Sequence, residues 1–134
     1  MRFHILGSIL LSSSLSLLLA CGDNLVAYPD DTSSILLEDE CPGEPAQVAS
    51  ARLQGTSLIV TAQYTGCART RIWACWDGTL GSGDPASAQI VVHAEPAGDC
   101  DAALEENASF SLAPMLDGRP VMIHAGAFDL LWRP

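Results

Sequence analysis

The chain has 134 residues, 49% of them hydrophobic, with 6 basic against 16 acidic side chains and a formal charge of −10. Such a length suits one domain with a modest core. No lysine is present, so there is no basic stripe for nucleic acid and no polybasic tether for anionic lipid, which argues against both partners and leaves a cationic one open.

Residues 1–20 read as a bacterial lipoprotein signal peptide: Arg2 and His4 precede an apolar, Ser-rich run from Ile5 to Leu19 that ends in Ala20. The run is too short and too diluted by serine for a comfortable span, since a bilayer core takes about 20 apolar residues. Leu18-Leu19-Ala20-Cys21 forms a lipobox. Cys21 is therefore the expected site of lipidation, and several acyl chains, at about 0.8 kcal/mol per buried methylene, hold a protein on a membrane essentially permanently. Cleavage removes Arg2 and leaves five basic against 16 acidic residues. Gly22 follows the cysteine, which favours the outer membrane of a double-membraned envelope.

Residues 21–45 are expected to be a flexible acidic tether. Asp23, Asp30, Asp31, Glu38, Asp39, Glu40 and Glu44 alternate with Pro29, Pro42 and Pro45, and no apolar period is sustained. Ile35-Leu36-Leu37 interrupts the acids and is expected to dock on the domain as a short strand or helical turn. From Ala46 to Pro134 the pattern changes to short alternating runs between turn residues. Strands are predicted over Gln47–Leu53, Leu58–Tyr64, Arg71–Trp76, Gln89–Ala94, Ser109–Leu112, Val121–His124 and Phe128–Trp132, with Ala102–Glu106 as the one helical turn. Seven such strands describe a single antiparallel β-sandwich of immunoglobulin-like size, with an open β-barrel as the alternative.

Four cysteines remain beyond the lipobox: Cys41, Cys67, Cys75 and Cys100. An even count in a small exported domain argues for two disulfides, with three pairings open. A bridge closing a loop of about 34 residues contributes roughly 3 to 4 kcal/mol in the chain-entropy model. Without a Cys-x-x-Cys or closely paired histidines, the spacing offers no zinc motif, and no metal site or other cofactor is expected.

As a set, Tyr64-Thr65-Gly66-Cys67, Gln89 to His93 followed by Gly98-Asp99-Cys100-Asp101-Ala102, and Phe110-Ser111-Leu112-Ala113-Pro114-Met115 resemble a family of small exported bacterial lipoproteins of uncharacterised function. Its pattern is Tyr-x-Gly-Gly-Cys-x-x-His, then a strand ending in His before Asp-x-Cys-Glu-Ala, then Phe-Asp-Leu-Ser-Pro-Leu. The resemblance covers roughly residues 58–132 and implies a β-sandwich in which Cys67 pairs with Cys100, leaving Cys41 for Cys75. Thr70, Asp101 and Ser111 stand where the family pattern has His, Glu and Asp.

Three sites invite functional readings. His93, Asp99, Asp101, Glu105 and Glu106 gather near one strand end, where a hard cation or a hydrolytic centre would find ligands, although no calcium-loop order and no Gly-x-Ser-x-Gly elbow accompany them. Trp73 and Trp76 flank Cys75, so alternation sends one indole into the core, packed on a disulfide, and leaves the other partly exposed beside Arg69 and Arg71. Asp77 to Ala86 forms a long polar turn, and Gly81-Ser82-Gly83 within it lacks the Lys-Ser/Thr of a phosphate loop. The expected function is that of a non-enzymatic binding or assembly module of the cell envelope, anchored by the lipid on Cys21. The alternatives are a metal-dependent or hydrolytic enzyme using the cluster around His93 and Asp99, and an exported protease inhibitor presenting the Asp77–Ala86 turn.

Overall fold

A computed structural model describes residues 32–134, so the signal segment and Cys21 lie outside the described residues. These residues form ten strands: β1 Thr32–Ser34, β2 Leu36–Leu37, β3 Glu44–Pro45, β4 Gln47–Gln54, β5 Ser57–Gly66, β6 Ile72–Trp76, β7 Ala86–Ala94, β8 Ala102–Ser111, β9 Val121–Ala125 and β10 Phe128–Trp132. They make two packed sheets, ordered β1-β8-β5-β4 and β10-β9-β7-β6-β2, and β3 joins the second beside β7. Both sheets keep free edges, so the architecture is a sandwich and not a closed barrel.

Period-two patterning builds the core. Leu58, Val60 and Ala62 on β5 have no exposure, while the intervening Ile59, Thr61 and Gln63 are partly exposed on the other face. From the facing sheet, Ala74, Ile90, Val92, Val121, Ile123 and Ala125 join them in one core with Phe110 and Leu112. Burying each of the larger aliphatic or aromatic side chains contributes about 1.5 to 3 kcal/mol. The β4–β5 and β9–β10 hairpins turn on two-residue loops that open with Gly55 and Gly126, both at positive φ (59° and 60°), which is the glycine position of a type II′ turn. Gly126 is also tight: a Cβ there would come 3.0 Å from the Val48 Cβ.

The sheets are mixed, where an all-antiparallel sandwich was expected. β7 and β9 run parallel from Ala86↔Val121 to Ile90↔Ala125, and β1 pairs parallel to β8 as β2 does to β6. A parallel pair needs a crossover that leaves the sheet and returns, here through β8 in the other layer, and no local sequence pattern announces it. The predicted helical turn at Ala102–Glu106 is the first half of β8, a ten-residue strand paired with β5 along its whole length from Gly66↔Ala102 to Ser57↔Ser111. An acidic, alanine-rich segment has little strand propensity of its own, and the fully formed partner strand decides its conformation.

The docking expected of Ile35-Leu36-Leu37 is found, and the acidic residues after it are held to the domain as well, where a flexible tether was expected. Ile35 is 8% exposed and belongs to the core cluster, Leu36–Leu37 pairs with Cys75 and Trp76 on β6, and Glu44–Pro45 pairs with Ala94 and His93 on β7. Between them a short 3-10 turn, Glu38–Glu40, carries the chain over the outer face of the second sheet. Residues 32–45 are thus a strap built into the domain. Its order comes from edge pairing and one buried isoleucine, which is why no apolar period marks it. Gly43 sits at φ 79°, where a Cβ would run into the Ala94 carbonyl, so only glycine lets the strap lie this close to β7.

Candidate functional site

Two surface features bring chemistry-bearing residues together. The first is an open groove of about 490 Å³ at one end of the sandwich, between the start of β4, the end of β5 and the segment after β7. Glu44, Gln47, Gln63, Tyr64, Thr65 and Glu95 supply its polar wall. Gln47, Gln63, Tyr64 and Thr65 also line an adjoining depression of about 550 Å³ that runs on to Leu104 and Glu105. The Tyr64 hydroxyl accepts a hydrogen bond from the Thr70 amide (3.0 Å), Gln63 donates to Glu105 (2.5 Å), and Glu95 accepts from the Trp73 indole (3.0 Å). Gly66 must be glycine for this wall to close, since a Cβ there would collide with the Ala97 side chain. In the sequence Tyr64 and Thr65 stand out only within the family pattern and Glu105 only among the acids near Asp99; the groove itself is not legible there, because three separated segments create it only when the sheets pack.

The second feature lies under the strap. On β6 the core takes Ile72, Ala74 and Trp76, so Trp73 and Cys75 project to the outer face. The β6–β7 register sets Trp73 opposite His93 and Cys75 opposite Val91, which makes Cys75 and His93 diagonal neighbours on that face. The strap lowers Cys41 onto them. Cys41 and Cys75 form a disulfide with a Cα separation of 6.0 Å, and Cys67 and Cys100 form the other at 4.8 Å. The two Sγ atoms and a His93 ring nitrogen all lie within 4.8 Å of one another. His93 Nδ1 is buried and has no hydrogen-bond partner, an arrangement that costs about 1 to 3 kcal/mol of lost solvation.

The expected cluster around His93 and Asp99 is not one site. Because residues 102–111 are a strand, Glu105 and Glu106 point to opposite faces: Glu105 takes the Gln63 amide on the outer face of the first sheet, and Glu106 receives both guanidinium donors of Arg69. The only group of three or more cation-ligating residues among the described residues is Cys41, Cys75 and His93, with none of the acids in it. Three elements distant in sequence bring these side chains together, so no spacing along the chain announces them.

His124 on β9 faces Asp129 on β10, with Nδ1 2.6 Å from the carboxylate, and among the described residues no hydroxyl is hydrogen-bonded to its ring. Trp76 is the core indole, donating to the Thr79 carbonyl (2.8 Å), and Trp73 is the partly exposed one, capped by the Arg71 guanidinium 4.1 Å from its ring centroid. The disulfide shares the Trp73 face and not the core, because Cys75 and Trp76 are adjacent on one strand. The turn after Trp76 is held internally. Asp77 accepts from the Thr79 amide (2.9 Å) and hydroxyl (2.8 Å), which pulls its pKa below the ordinary carboxylate value, and Gly81 donates to the Ser87 carbonyl.

With this geometry in view, comparison with known proteins gives no relative: no family model, no curated protein and no solved structure matches the chain significantly.

Proposed function

We propose that the protein is a lipid-anchored binding module of the bacterial cell envelope, tied to the membrane through Cys21 and presenting the end groove to an envelope partner. The lipobox supports the anchor, and no helix among the described residues is long and apolar enough to cross a membrane. The groove carries the binding assignment. Its carboxylates and amides, on a chain of formal charge −10 with no lysine, suit an extended segment offering backbone amides and basic side chains, and they disfavour nucleic acid.

Site-specific photo-crosslinking in intact membranes tests this reading. A crosslinker at Thr65 is expected to trap a discrete envelope partner, the trap weakening with rising salt and failing when Glu44 and Glu95 are both replaced by lysine. A crosslinker at Arg133, remote from the groove lining, serves as control. Equal labelling from both positions, or trapping indifferent to the double charge reversal, removes the groove from the function.

A further inference from the structure

We propose that Cys41, Cys75 and His93 form a redox-gated site for a thiolate-seeking d10 cation, Cu(I) or Zn(II), which the disulfide closes and reduction opens. This goes beyond the binding role and is independent of it. The ligand set is the argument's first support. Two ligand atoms on the same ion, each bonded at about 2.0 to 2.3 Å, lie at most about 4.6 Å apart; the three ligand atoms here sit within 4.8 Å of one another, so a small side-chain shift brings them into range. Two thiolates and one imidazole are the donors that soft and borderline cations select, and three ligands leave a coordination position open.

The second support is His93 itself. A buried imidazole nitrogen without any partner is the exception in folded proteins, and here that orphan is Nδ1 of the histidine beside the sulfurs. A cation is the partner it lacks. The third support is the frame. Cys75 and His93 are fixed by the β6–β7 register, while the Cys41 strap is pinned on one side by the Leu36–Leu37 pairing with β6 and on the other by the Glu44–Pro45 pairing with β7. These backbone pairings do not depend on the sulfur–sulfur bond, so opening the bridge leaves Cys41 above its two partners.

The chemistry balances with a dithiol as reductant. Its two thiols become a disulfide, two electrons and two protons pass to the Cys41–Cys75 bond, and two protein thiols result. Cation binding then releases those two protons and the sulfurs ligate as thiolates, with His93 neutral. Cys41 is a partly exposed residue and Cys75 is 1% exposed, so the reductant's attack is expected on Cys41.

The test uses the full chain carrying Cys21→Ser, so that no fifth thiol competes, reduced with a dithiol and titrated separately with Cu(I) and Zn(II) against chromophoric chelators. One equivalent of one or both ions is expected to bind, with at least tenfold weaker binding in His93→Gln and in Cys41→Ser, none in the oxidised protein, and undiminished binding in Cys67→Ser/Cys100→Ser. Co(II) in place of Zn(II) is expected to give a thiolate charge-transfer band that shifts in His93→Gln. If reduction unfolds the chain, the expected result is that the ion restores the β-sheet circular dichroism of the parent and not of His93→Gln. No uptake and no refolding, uptake unchanged in His93→Gln, uptake lost with Cys67 and Cys100, or equal uptake by the oxidised protein each overturn the proposal.

Discussion

Phe110 is the largest of the side chains with no residual exposure, and it lies opposite Leu58 in the first sheet as part of the core. Phe110→Ala should destabilise the protein by about 3 to 5 kcal/mol in urea unfolding, because neighbours from two sheets cannot collapse into the void. Asp77 acts at the opposite extreme of burial. Its two bonds from Thr79 stabilise the carboxylate, so its folded pKa lies below the ordinary 3.8. A depressed folded pKa means that the contribution is complete above the unfolded value and is lost as pH falls through the folded one. Asp77→Asn should therefore lower the melting temperature slightly at neutral pH and flatten the acid side of the profile, so that variant and parent converge below about pH 4; an unchanged acid limb would place the turn's order elsewhere. At this scale Leu58, Val60 and Ala62 were legible as core from alternation alone. His93 was not, since its meaning depends on Cys41 and Cys75, and nothing in the residues around it states that they arrive there.

Among the elements, the strap separates what local pattern conveys from what pairing imposes. A free tether would leave Ile35 in water, and Ile35→Ala would cost little. With Ile35 in the core, that substitution should cost about 2 to 4 kcal/mol by equilibrium unfolding. Gly43→Ala should detach the strap more selectively: the positive φ and the clash with the Ala94 carbonyl both oppose any side chain. The expected signature is faster hydrogen exchange at the β3–β7 pairing with β5 and β8 still protected. The same distinction explains β8. Phe110 and Leu112 marked its C-terminal part, while Ala102 to Asn107 carries too few apolar residues to alternate visibly and is a strand because β5 offers it six opposed partners.

For the whole molecule, two disulfides with sequence separations of 34 and 33 staple a core drawn from a small chain. Each is worth roughly 3 to 4 kcal/mol through the entropy it removes from the unfolded ensemble, against a total of about 5 to 15 kcal/mol for an ordinary domain. Full reduction without added metal should lower the melting temperature steeply, and calorimetry with and without a dithiol reads it. Non-reducing peptide mapping of protein extracted from bacterial membranes should return a diacylglyceryl thioether on Cys21 together with Cys41–Cys75 and Cys67–Cys100 peptides, and an unmodified Cys21 thiol would sink the anchor.

The all-β class, the positions of the central strands and the surplus of acid over base belong to the sequence by itself, because each follows from period-two patterning or a charge count over neighbouring residues. The mixed sheets, the conversion of an acidic segment into a strap, the end groove and the meeting of Cys41, Cys75 and His93 were decided only by tertiary structure. Each brings together residues separated by tens of positions, and such contacts are selected by which strands pair and which sheets pack, information that no local window contains.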